Sequence, residues 1–152
     1  MRALGAPEEA RWLVEAAASE AWPSCLNEIA SGRGADYFNG MLIRRRQGEP
    51  LQYVLGRWGF RSLELMVDQR VLIPRPETET VVEVALEHLD LLGELGRSSP
   101  VVVDLGTGSG AIALSVAAER PGAEVWATGE SSEDLEVARV NLAGPAGRAA
   151  AA

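Results

Sequence analysis

The run Pro100-Val-Val-Val-Asp104 is apolar until it ends in an acid, and Leu105-Gly106-Thr107-Gly108-Ser109-Gly110 follows at once. Few folds place glycine at every other position directly after an apolar strand. Glycine adopts positive φ readily and carries no Cβ to hold a ligand away from the backbone. A helical pattern over residues 111–119 begins beside the last glycine, so its first amides stand free at the turn. A short valine run predicts a strand buried on both faces of a parallel sheet. Residues 124–128 read as a second strand. Residues 132–142 read as a second helix, capped by Ser131 or Ser132. The order strand, helix, strand, helix predicts a right-handed parallel α/β unit.

Two familiar phosphate-binding turns do not fit. A dinucleotide site needs G-x-G-x-x-G, whereas the spacing here is G-T-G-S-G. A phosphate-cradling loop needs a Gly-Lys-Ser/Thr end, and the chain has no lysine. An acid just before three alternate glycines instead resembles the first motif of Rossmann-like methyltransferases. That resemblance implies that Asp104, Gly106, Thr107, Gly108, Ser109 and Gly110 bind S-adenosylmethionine, with the acid fixing the loop and free to pair with the ligand's ammonium end. The alternative is a strand-to-helix turn without a ligand. In such folds an acid ends the next strand and binds the ribose hydroxyls. Here that position is Gly129, and Glu130 comes one residue later. Successive side chains of a strand point to opposite faces. Either Glu130 swings inward past Gly129, or the ribose contact is weakened and Glu130 is a solvated loop acid.

Upstream, residues 8–20 carry Trp12, Leu13, Ala16 and Ala17 at helical spacing. Residues 24–30 suit a short second helix, 31–34 a loop, and 35–47 a further helix ended by Gly48. Arg44, Arg45 and Arg46 suit the negative end of that helix; the run is either a solvated end or a contact for RNA or an acidic partner. Residues 57–60 and 63–67 predict a β-hairpin turning at Arg61-Ser62. Pro74-Arg75-Pro76 excludes a helix interior, and residues 77–92 then form a helix with Val81, Val82, Val84, Ala85, Leu86 and Leu89 on its apolar side. From residue 143 the chain is a low-complexity tail.

The chain has 152 residues, 47% of them hydrophobic, which supports a real core. A net charge of -8 argues against direct nucleic-acid binding, which needs a basic surface. Cys25 is the single cysteine, which excludes an intrachain disulfide and a cysteine metal cluster and suits a reducing cytoplasm. No metal ligands are expected. No run approaches the roughly 18 apolar residues of a membrane span, and the N-terminus does not read as a signal peptide. His88 and Cys25 read as a helix-surface residue and a small buried residue, and Trp12, Trp22, Trp58 and Trp126 as packing residues. Composition and pattern leave the oligomeric state open.

Two segments narrow the family. One runs from Gln52-Tyr53-Val54-Leu55-Gly56 through Phe60 and Val67 to Ile73-Pro74-Arg75-Pro76-Glu77-Thr78-Glu79; the other is Val103 to Leu114. Together they resemble the release factor glutamine methyltransferases, the HemK/PrmC family, from about residue 12 to 141. The resemblance implies an N-terminal helical domain over residues 1–50 that engages the release factor. It implies a hairpin linker over 51–76 and a partial Rossmann-like methyltransferase domain over 77–152. The activity implied is cytoplasmic methyl transfer to the glutamine of the Gly-Gly-Gln motif of peptide chain release factors. Phe60, Arg75, Pro76 and Glu77 then become candidates for the substrate cleft, with Trp58 beside Phe60; Arg75 and Glu77 either brace the cofactor loop or pair with each other.

The family's catalytic signature, Asn-Pro-Pro-Tyr, is absent, since Asn141 is followed by Leu142. No catalytic residue can therefore be assigned. The sequence looks like a truncated or frameshifted member, or a fragment, inactive by itself. Two other readings stay open: a non-catalytic release-factor-binding module, and a different Rossmann-like methyltransferase.

Overall fold

The computed structural model describes residues 7–19 and 32–144. The expected helix over 24–30, Trp22 and Cys25 lie outside the described residues, as does the tail beyond 144. The chain divides into two compact units, Met1–Gly56 and Arg57–Ala152.

The first unit holds three helices, α1 (Pro7–Ala18), α2 (Gly32–Arg46) and α3 (Leu51–Leu55). Leu13, Met41, Leu51 and Val54 form its core. Helix α2 starts at Gly32, three residues before the expected start, so 32–34 is helical and not loop. Helix α3 was not foreseen; five residues are too few to show a period, and Pro50 and Gly56, with φ 73°, bound it. The arginine run is not merely a solvated end. Arg44 grips Glu49 at 2.6 Å and donates to the carbonyl of Tyr53 at 2.9 Å. Arg45 pairs with Glu9 at 3.1 Å, tying α2 to α1.

The second unit opens with β1 (Arg57–Phe60) and β2 (Leu63–Met66), antiparallel in register Arg57↔Met66 to Phe60↔Leu63. The two-residue turn puts Arg61 at φ 50°, costly for a residue with a Cβ. Its amide donates to Glu79 Oε1 at 3.0 Å, and its guanidinium clasps Glu119, so the turn is held from outside. A 3-10 turn at Pro76–Thr78 leads into α4 (Glu79–Glu94). Val82, Leu86 and Leu89 are buried, whereas Val81 and Val84 are exposed, because a 3.6-residue period turns those two away from the stripe.

Strand β3 (Val101–Leu105), α5 (Ala111–Glu119), β4 (Glu124–Thr128) and α6 (Ser132–Ala143) complete the unit. β3 and β4 pair in parallel from Val101↔Glu124 to Leu105↔Thr128, with α5 as the crossover. Ser131 caps α6 by accepting from the Asp134 amide. Val102 and Val125 pack on the core of Phe60, Leu63, Leu65, Val82, Leu86, Leu114 and Val116. The opposite sheet face is open: Val101 is 62% exposed, Val103 53%, Leu105 81% and Trp126 57%. The expectations that β3 is buried on both faces and that Trp126 packs inside are therefore corrected. Helices cover one face of this two-stranded sheet among the described residues, and alternate side chains fall on the other.

Candidate functional site

The glycine loop joins β3 to α5. Gly106, Gly108 and Gly110 all take left-handed φ, 81°, 53° and 85°. L-residues with a Cβ resist this region, which explains glycine at each position. A Cβ added at Gly106 or Gly108 would meet nothing within 4 Å, so the backbone there is open to a ligand. At Gly110 it would stand 3.1 Å from Leu114 Cδ1, so that glycine also serves helix packing.

The loop is braced on three sides. Asp104 Oδ2 accepts from the Thr107 hydroxyl at 2.7 Å and from the Ala113 amide at 3.2 Å, closing the turn onto the first coil of α5. The Thr128 carbonyl accepts from the Gly106 and Thr107 amides, and its hydroxyl donates to the Asp104 carbonyl, locking the loop to the end of β4. The Asn141 side chain donates to the Ser109 carbonyl at 2.8 Å. Thr107 and Ser109 are buried, so both help to build the loop; the amides of Gly108 and Ser109 have no partner among the described residues. Unpartnered amides beside open glycines suit an anionic or carbonyl-bearing ligand group.

The other candidates fall elsewhere. Glu130 is exposed in the bend after β4 and forms no side-chain hydrogen bond or ion pair among the described residues. Gly129 does not take a left-handed φ, and a Cβ there would stand 3.4 Å from Leu135 Cδ2, ordinary contact. Phe60 is 2% exposed within the core, so its ring cannot line a cleft. That expectation is corrected: alternation along β1 puts Trp58 and Phe60 on the same inner face, where Phe60 joins the core with α4 and α5 while Trp58 is half-buried. Arg75, Pro76 and Glu77 are exposed, and neither the expected brace on the loop nor an Arg75–Glu77 ion pair is present among the described residues. His88 is an exposed helix residue whose Nδ1 lies 2.8 Å from the Val84 carbonyl oxygen. Among the described residues no cluster of three His, Cys, Asp or Glu could hold a metal, and no helix is long and apolar enough to cross a membrane.

Sequence reasoning passed over Thr128 and Asn141. Thr128 carries no signal beyond its place at a strand end. Asn141 does, since it lies four residues after Val137 on the buried stripe of α6. A polar residue on such a stripe needs internal partners.

A parallel strand–glycine loop–helix unit of this kind defines a methyltransferase-type nucleotide fold, and the family model for the methyltransferase small domain matches residues 79–151. Curated relatives go further. A release factor glutamine methyltransferase of Bifidobacterium longum is 52% identical over 105 residues, 69% of this chain and 35% of the relative. That of Burkholderia pseudomallei is 53% identical over 98 residues, 64% and 33%. That of Chlorobaculum tepidum is 47% identical over 119 residues, 78% and 38%. The chain belongs to the release factor glutamine methyltransferase family. It spans about a third of the length of these relatives.

Proposed function

We propose that this chain carries the S-adenosylmethionine-binding half of a methyl-transfer site acting on the glutamine of the Gly-Gly-Gln motif of peptide chain release factors. The observation that carries this is the glycine loop: three left-handed glycines with open space over Gly106 and Gly108, in a chain 47–53% identical to relatives of that name. The bound donor supplies an electrophilic methyl group on its sulfonium. The chain's own residues hold the donor. Asp104, Thr107 and Thr128 fix the loop, Gly106 and Gly108 admit the ligand, and the Gly108 and Ser109 amides offer donors to it. The exposed Arg75-Pro76-Glu77 stretch belongs to the substrate side in this reading, and the helical unit over residues 1–50 engages the release factor, in the cytoplasm, at translation termination.

An amide nitrogen is a poor nucleophile, because its lone pair is delocalised into the carbonyl. It must be oriented and polarised by hydrogen bonds to attack. The 152 residues contain no Asn-Pro-Pro-Tyr to do so. In this reading these 152 residues supply donor-binding groups, and the family's amide-orienting motif is not among them. Calorimetric titration with S-adenosylmethionine, together with a methyl-transfer assay on purified release factor, tests both parts. Saturable binding without turnover is expected. Absence of binding overturns the cofactor role, and turnover overturns the claim of inactivity.

A further inference from the structure

We propose that Asn141 is a positioning residue that sets the glycine loop for the cofactor; this rests on the reading of that loop as the donor site. Asn141 is 4% exposed, on the inner face of α6. Its amide treats Met66 as a neighbouring strand would. Oδ1 accepts from the Met66 amide at 2.7 Å, and Nδ2 donates to the Met66 carbonyl at 3.0 Å. The side chain thereby occupies the edge of β2 and is itself fixed in orientation. The second hydrogen on Nδ2 goes to the Ser109 carbonyl at 2.8 Å. One side chain thus uses three of its four hydrogen-bonding positions on backbone groups 75 and 32 residues away.

The Ser109 contact falls at an informative place. The Ser109 carbonyl and the Gly110 amide belong to one planar peptide unit. Asn141 holds its oxygen end, and the Thr107 carbonyl holds its N–H end at 2.8 Å. That plane turns about the ψ of Ser109 and the φ of Gly110, and Gly110, at φ 85° and without a Cβ, is the residue that resists such rotation least. Glycine gives the loop the freedom to adopt the open shape, and Asn141 removes the freedom to leave it. Fixing this plane also restrains Ser109, whose unpartnered amide and that of Gly108 lie immediately upstream in the loop.

The test uses the full chain in three forms: wild type, Asn141→Ala, and Val137→Ala as a control buried on the same helix whose side chain makes no hydrogen bond to the loop. Two readouts are taken, amide hydrogen exchange at residues 108–110 without cofactor, and the affinity for S-adenosylmethionine. Asn141→Ala is expected to speed loop exchange and weaken the donor about ten-fold, the equivalent of one lost hydrogen bond, while Val137→Ala at similar thermal stability changes neither. Where Asn141→Ala does not fold, the isosteric Asn141→Asp, whose carboxylate can still accept from the Met66 amide but has no N–H to donate to Ser109, takes its place. Unchanged loop exchange in the Asn141 variant, or equal weakening of the donor by the Val137 control, overturns the proposal. If the wild-type chain binds no donor, the cofactor reading fails separately, and loop exchange alone decides the role of Asn141.

Discussion

Arg61 and Glu119 form a two-pronged ion pair, Nε to Oε1 at 2.6 Å and Nη2 to Oε2 at 2.9 Å, between the hairpin turn and the end of α5. Both side chains are largely shielded, 16% and 28% exposed. Next door, Arg120 clasps Asp90 of α4 at 2.6 Å, so adjacent residues at one helix end reach two different elements. Arg61 also pays the strain of its positive φ, which only these contacts make tolerable. Replacing Arg61 by Met therefore loses the pair and keeps the strain. The expected cost is about 2–3 kcal/mol, since a charged partner is left without its hydrogen bonds. Arg61→Gly, which relieves the φ, should cost less than Arg61→Met. Thermal melts of the two variants check the order, and equal melting temperatures would refute it.

The same pair predicts acid sensitivity. The hydrogen bond from Arg61 holds the Glu119 carboxyl below the usual glutamate range, against the opposing effect of burial. Asp68 is held down likewise by its hydrogen bond to Arg70. A group whose folded pKa is depressed contributes stability above its unfolded pKa and loses it as pH falls through the folded value. Melting temperature should thus be flat near neutrality and fall below the ordinary carboxylate range. In Arg61→Met that fall should be shallower, because one of the depressed groups has lost its partner. Parallel melts from pH 7 to about pH 3 test this; superimposable slopes would rule it out.

The parts of this fold that were legible beforehand are those where one residue type meets one steric demand. Gly106, Gly108 and Gly110 announced left-handed backbone because other residues resist it, and all three adopt it. The hairpin was legible because Arg61-Ser62 separates two β-rich runs. Burial was not. The valines of β3 look alike, but Val102 meets the helices while Val101 and Val103 face outward, and composition cannot say how many layers cover a sheet. Phe60 was misplaced for a related reason: a four-residue strand alternates equally well in either phase, and the packing of α4 and α5 chooses. Asn141 was passed over because its partners lie at Met66 and Ser109, far away in sequence.

The loop geometry separates two kinds of glycine. Gly108→Ala meets no steric neighbour, but it forces a Cβ into a left-handed backbone and into the open space above the loop. A stability loss of about 1–2 kcal/mol is expected, with donor affinity falling further than stability. Gly93, exposed within α4, also has nothing within 4 Å of a Cβ but keeps a helical φ. Gly93→Ala should therefore stabilise by about 0.5–1 kcal/mol and leave donor affinity alone. Denaturant unfolding and calorimetry on both variants make the comparison; a Gly108→Ala chain that binds like wild type would show that the ligand does not approach there.

Gly129 offers the opposite experiment, a gain. It stands where the family resemblance puts a ribose-binding acid, its φ lies outside the left-handed region, and a Cβ would touch only the flexible end of Leu135 at 3.4 Å. An aspartate fits this backbone without strain. Glu130, on the next residue, is exposed and has no side-chain partner among the described residues. Gly129→Asp should then tighten S-adenosylmethionine binding by about five- to ten-fold, the worth of a charge-assisted hydrogen bond to a diol. Glu130→Ala should change it less than about two-fold, as expected for a solvated acid. The gain should vanish with a donor analogue lacking the ribose 2′- and 3′-hydroxyls, since the new carboxylate would then have no partner. An equal gain with that analogue would assign the effect to general electrostatics, and no gain with either ligand would place the ribose away from the end of β4.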